Sequence, residues 1–91
     1  MKATKIRMKA GCGTSNNLLE VDDIYITEST NNGYYKKAAI YDCVKGTPGS
    51  IQVDIYPYPN LIGVLSANSE KYVKSTPNNT TGDNLLNLPR E

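Results

Sequence analysis

The chain contains neither Phe nor Trp, and that absence constrains its fold more than any motif does. Its core must be filled by aliphatic side chains, supplied by seven Leu, seven Ile and five Val. These make up about a fifth of the residues, just above the level at which chains stay disordered. The seven Tyr are the only bulky rings. A phenol buried without a partner for its hydroxyl is penalised, so several tyrosines are expected at half-exposed positions, within reach of a ligand or a partner chain. At 91 residues the expectation is one domain, 1–91, able to bury about 60–65% of the surface its unfolded form exposes.

Residues 2–10 alternate, with Thr4, Ile6, Met8 and Ala10 on one face and Ala3, Lys5, Arg7 and Lys9 on the other, which predicts a first strand with a basic outer face. Gly11, Gly13 and Ser15 to Asn17 then predict a loop carrying Cys12. A β-branched and aromatic run from Val21 to Glu28 predicts a second strand. The Asn32-Gly33 pair is suited to a tight reversal, with Tyr34 and Tyr35 in a short paired strand beyond it. A helix is expected from about Lys36 to Lys45, with Ile40, Cys43 and Val44 on one side and Gly46 and Pro48 as its stop signals. Ile51, Val53 and Ile55 alternate with polar residues and predict a strand ended by Pro57 and Pro59. Leu61 to Ser66 and Lys71 to Ser75 read as a hairpin through Ala67-Asn68-Ser69. The expected fold class is therefore α+β: a small, mostly antiparallel sheet of four to five strands with one helix packed on one face. Leu85, Leu86 and Leu88 predict that the segment 76–91 docks back on the core.

Several function classes are disfavoured. The chain has no His, which removes the commonest general base, metal ligand and activator of a Ser or Cys nucleophile, so no enzymatic activity is expected. No metal site or cofactor is expected: Glu20, Asp22 and Asp23 lack the ligand spacing of a calcium loop. Gly11-Cys12-Gly13-Thr14 lacks the Gly-Lys-Ser/Thr ending of a phosphate loop. A net charge of +1 gives no field for steering polyanions, which makes nucleic-acid binding through the first strand the weakest alternative. The start of the sequence leads into alternation instead of an apolar signal block, and no run has the length of a membrane span. The expected compartment is the cytoplasm, with Cys12 and Cys43 as free thiols and no membrane association.

Two features carry a binding reading and a bland one side by side. Lys5, Arg7 and Lys9 can contact phosphates beside stacked tyrosines, or form a solvated face with edge-protecting lysines. In Tyr56-Pro57-Tyr58-Pro59 two rigid prolines hold two aromatics at low entropic cost, which gives either a binding rim or a capped loop.

Lys71-Tyr72-Val73-Lys74-Ser75-Thr76 followed by Asp83-Asn84-Leu85-Leu86-Asn87-Leu88-Pro89 resembles the ending of the domain-of-unknown-function family 3892, small bacterial and phage proteins. Asn78-Asn79 stands where that family has an Asp-Gly turn, and the loop from Cys12 to Asn17 is a further departure. The resemblance implies a fold and a bacterial or phage setting, and no chemistry. On the residues alone, Asp83 and Asn84 can cap a final turn.

The favoured expectation is a non-enzymatic protein sequestering a nucleotide-like ligand at a subunit interface, because so small a chain needs a homo-oligomer to form a deep pocket. The candidate ligand-binding residues are Arg7, Lys9, Tyr56, Tyr58, Tyr72, Asp83 and Asn84. The alternative is a protein-interaction module, an inhibitor or adaptor of a larger host protein, presenting the Tyr-Pro-Tyr-Pro loop or a sheet edge.

Overall fold

The computed structural model describes residues 1–56, 58–76 and 84–91, with Asn84 described by its backbone alone. Strand β1 (Lys2–Met8) lies inside a sheet with β2 (Val21–Thr27) antiparallel on one side and β4 (Gln52–Val53) parallel on the other. Strand β3 (Gly33–Lys36) pairs with the outer side of β2, giving the order β3-β2-β1-β4. Helix α1 (Lys37–Gly46) connects β3 to the region of β4. Strands β5 (Leu61–Leu65) and β6 (Lys71–Ser75) form a separate two-stranded antiparallel ladder. The fold is thus the expected small α+β fold, with its strands divided between two ladders and one parallel pairing at β1 and β4.

The β1–β2 register shifts twice, between Ala3 and Lys5 and between Arg7 and Met8, and only the first, where β1 carries the extra residue, interrupts the alternation of β1. Ala3, expected outside beside Lys5 and Arg7, is therefore fully buried together with Ile6. A bulge adds one residue and moves every earlier side chain to the other face. Met8 ends the strand, which leaves Lys9 and Ala10 exposed beyond it. The reversal from β2 to β3 also differs from the expected Asn-Gly turn. Glu28 takes the left-handed conformation at φ 60°, the Asn32 side chain accepts from Ser29 N–H, and Gly33 is already paired with Ile26.

Helix α1 buries Lys37, Ile40 and Val44 and packs against β5 and β6, touching β2 and β3 as well. Gly46 is its last residue, and Thr47 N–H caps the end by donating to the Cys43 carbonyl at 2.9 Å. Close packing here depends on Gly63 of β5. A Cβ at that position would lie 2.8 Å from the Tyr41 ring and 3.2 Å from Cγ of Lys45, and Tyr41 is itself flanked by the ammonium groups of Lys45 and Lys71. Gly63→Ala is expected to destabilise by about 1–3 kcal/mol, although alanine in a strand is otherwise the better residue. In a Tyr41→Ala background the same change should be neutral or favourable, which a double-mutant cycle in urea would read.

The expected strand over 51–56 pairs only at Gln52 and Val53, and Asp54 to Tyr56 bend away. Ile51 and Val53 are nevertheless buried as the alternation requires. Beyond Ala3, the side of β1 that faces β4 is taken up by the C-terminal segment. Ile6 N–H donates to the Pro89 carbonyl at 2.9 Å and Glu91 N–H to the Ile6 carbonyl at 3.1 Å, while Leu85 and Leu88 are buried. The Arg90 guanidinium donates to the carbonyls of Gly13, Ser15 and Leu86, tying this segment to the loop after β1. The buried hydrophobic residues are all aliphatic or Met, and no tyrosine is among them.

Candidate functional site

Pairing across β1, β2 and β3 stacks side chains in rows on the outer face of the sheet. One row is Lys5, Tyr25 and Tyr34, and the next is Arg7, Asp23 and Lys36. The two rings meet edge to face at 5.0 Å, with Lys5 over Tyr25 and Arg7 over Tyr34 at 4.0 Å from the ring centre. Such contacts add to the stability of cross-strand pairs.

The positive charge of this face is offset locally. Arg7 lies 3.4 Å from Asp23 and 4.0 Å from Glu91, Lys5 lies 3.4 Å from Glu91, and Lys36 reaches both Asp22 and Asp23. The nearby Tyr34 hydroxyl and the Lys5 ammonium hold the Glu91 carboxyl below its ordinary pKa, and bonding to Asp23 and Asp22 raises that of Lys36. Burial raises the pKa of the Tyr34 phenol, with the nearby Glu91 carboxylate adding to the shift. The Tyr34 hydroxyl is buried near that carboxylate and, among the described residues, makes no hydrogen bond of good geometry.

Lys9 is engaged in the same way. Its ammonium lies 3.5 Å from Glu70 in the β5–β6 turn, and Glu70 also binds Lys37. Lys37, almost fully buried at the start of α1, donates in addition to the Leu19 carbonyl. Arg7 and Lys9 therefore sit among carboxylates instead of facing an open anion site.

Tyr56 and Tyr58 are placed differently. Tyr56 is 81% exposed and Tyr58 48% exposed. Their rings meet edge to face at 6.1 Å, and the Lys2 ammonium lies 4.6 Å from the centre of the Tyr58 ring. The main chain around them is anchored by Tyr58 N–H to the Ile55 carbonyl and Val53 N–H to the Pro59 carbonyl. Tyr58 adopts φ 58°, a left-handed conformation that costs a bulky residue on the order of 1–2 kcal/mol.

Of the remaining expected residues, Tyr72 is half-buried on β6 opposite Val64, and Asp83 lies outside the described residues. Asn84 begins a short 3-10 turn, Asn84–Asn87. The structure brings Tyr56 and Tyr58 together and places Arg7 and Lys9 in separate ion-pair clusters. Lys2, Lys37 and Arg90 were not anticipated. No sequence signal pointed to Lys2, which directly precedes Ala3, and none distinguished Lys37 from its neighbour Lys36.

Cys12 donates to the Glu20 carboxylate, which Ser15 also binds. That hydrogen bond raises the thiol's pKa above the ordinary value, with burial adding to it, so the reactive thiolate is disfavoured. Cys43 lies 3.8 Å from the Ser50 hydroxyl. Among the described residues no group of three or more metal-ligating side chains converges, and no helix is long and apolar enough to cross a membrane.

Fold and surface together define a small α+β protein with an aliphatic core, a charge-balanced outer sheet face and a pair of tyrosines turned to solvent. The chain belongs to the family described as "Protein of unknown function (DUF3892)", whose sequence model matches residues 2–89. No curated protein and no solved structure matches it.

Proposed function

We propose that this protein is a non-enzymatic binding module that docks on another protein through Tyr56 and Tyr58. The observation that carries the reading is Tyr58. It is a large aromatic residue held at φ 58° with nearly half its surface in solvent. An exposed residue in that conformation is destabilising relative to glycine, and its ring gains little from the fold in return. Local strain of this kind concentrates where a side chain is needed for contact, and exposed tyrosines with few rotamers to lose are typical anchors of interfaces. Lys2 beside the ring suits a partner surface with an apolar pocket flanked by a carboxylate.

Capture of a nucleotide-like ligand through Arg7 and Lys9 has less support, because both cations already face carboxylates. Releasing them for a phosphate would forfeit those pairings.

The test compares the protein with its Tyr56→Ala/Tyr58→Ala variant. Thermal stability of the variant is expected to stay within a few degrees, since both rings are exposed and surface changes usually stay within about 0.5 kcal/mol. A stoichiometric partner retained by the original protein should be lost by the variant, with affinity reduced at least about 30-fold. A partner held equally by both proteins would rule this surface out, and native mass spectrometry of the purified protein would show at once whether a small molecule is carried instead.

A further inference from the structure

A cavity of about 260 Å³ lies between the end of α1 and β5, lined by Val44, Lys45, Pro48, Asn60, Ile62 and Thr76 among others. It is separate from the Tyr56 and Tyr58 rings, neither of which lines it, and the only formal charge on its wall is positive, that of Lys45. No carboxylate contributes to the wall. Among the described residues no Asp or Glu pairs with Lys45, whose ammonium rests 5.6 Å from the Tyr41 ring centre.

The second donor is fixed by a short chain of hydrogen bonds. Gln52 Nε2 donates to the Gly49 carbonyl, and a carbonyl can only accept, so the Gln52 amide has one orientation. The same Nε2 donates to Asn60 Oδ1 at 3.0 Å, which makes that atom the acceptor and leaves Asn60 Nδ2 as the donor. Nδ2 lies toward Gly49, 3.9 Å from where a Cβ on that glycine would stand, on the cavity wall. Among the described residues no acceptor meets it.

The Lys45 side chain and an amide donor beside a pocket walled by Val44, Leu61, Ile62 and Pro48 make a site for an amphipathic anion, toward which the flexible ammonium turns from its place over the Tyr41 ring. We infer that this cavity binds a small monocarboxylate with an apolar body, its carboxylate held between Lys45 and Asn60 Nδ2. Size sets the upper limit. A cavity of about 150 Å³ holds benzene, so this one takes on the order of ten heavy atoms, a single ring with its carboxylate and less than half a nucleotide. Charge sets another limit. The C-terminal end of α1 is the negative pole of the helix, which works against any anion and against a dianion most, so Lys45 in that last turn is the charge that has to offset it.

The experiment is an amide ¹H–¹⁵N NMR titration of the full chain with benzoate, and with benzamide as its neutral isostere. Benzoate is expected to shift the amides of Val44, Lys45, Gly49, Asn60 and Gly63 saturably, and to bind at least about fivefold more tightly than benzamide. Lys45→Met, which keeps the apolar stem and removes the charge, should abolish that preference while leaving the spectrum dispersed. Asn60→Leu should weaken benzoate at least about threefold. Lys45 is exposed and its variant is expected to fold, so the test does not depend on Asn60→Leu remaining folded. Equal binding of the two probes, unchanged benzoate affinity in Lys45→Met, shifts confined to other residues, or no saturable shift would each overturn the assignment. None of these outcomes bears on the tyrosine surface.

Discussion

Replacing Leu85 by alanine is expected to lower the unfolding free energy by about 3–5 kcal/mol. Leu85 is fully buried, yet it sits on a short 3-10 turn far along the chain from the strands it covers. A turn of that length has no stability of its own, so it is held in place by what its leucines bury. With no Phe or Trp available, each buried leucine carries a large share of the core, and neighbouring aliphatics can collapse only partly into the space left behind. Total stabilities of small domains are about 5–15 kcal/mol, so a loss of this size leaves a protein that is unfolded in mild urea. Leu65→Ala is the matched control. Leu65 is 52% exposed and its loss should cost about 0.5 kcal/mol or less. Urea titrations followed by far-UV circular dichroism give both values, and equal effects would show that the C-terminal segment is not part of the core.

The second large effect is expected at Glu70. Lys37 is buried with its side chain 10% exposed, and Glu70 is its counter-charge. Glu70→Gln keeps the shape but leaves the buried ammonium without a counter-charge, with the Leu19 carbonyl still accepting from it, which is expected to lower the melting temperature by on the order of 10 °C. Lys37→Met leaves behind a carboxylate that is 41% exposed and still close to Lys9, and water can solvate it. The lysine variant should therefore be the milder of the two, the reverse of what removing the more buried residue would ordinarily give. The pH dependence has a definite sign. Hydrogen bonding and attraction from Lys37 hold the Glu70 pKa below its ordinary value of 4.5. Its contribution is complete above the unfolded pKa and disappears as pH falls through the lower, folded one. The gap between the original protein and Glu70→Gln should be constant near neutrality and close in acid. A gap that persisted at low pH would assign the stabilisation to shape instead of charge.

Local structure was largely legible in the sequence because it depends on local periodicity. The alternation at Ile51 and Val53, the helical spacing of Ile40 and Val44, and the hairpin around Ala67-Asn68-Ser69 each report on neighbours a few residues away. The bulge near Thr4 was not legible, since alternation assumes a uniform pleat and the extra residue is fixed by pairing with β2. The pairing of β1 with β4, and of Ile6 with the segment at Pro89 and Glu91, joins positions remote in the chain that carry no mutual signal. The candidate site shows the same division. Tyr56 and Tyr58 stood out by composition, and their exposure agrees with a phenol's need for solvent. The basic triplet of Lys5, Arg7 and Lys9 looked available for phosphate because the acids that face it come from β2, the β5–β6 turn and Glu91.

The neighbourhood of Ile6 and Pro89 also dictates when this molecule can take shape. A ribosome emits β1 well before the residues at Pro89 and Glu91 that complete its far side and seal the aliphatic interior. Until they follow, the nascent strand has an open flank and its methyl groups stay wet, so acquisition of the native state hinges on one very distant closure, the slow kind of topology.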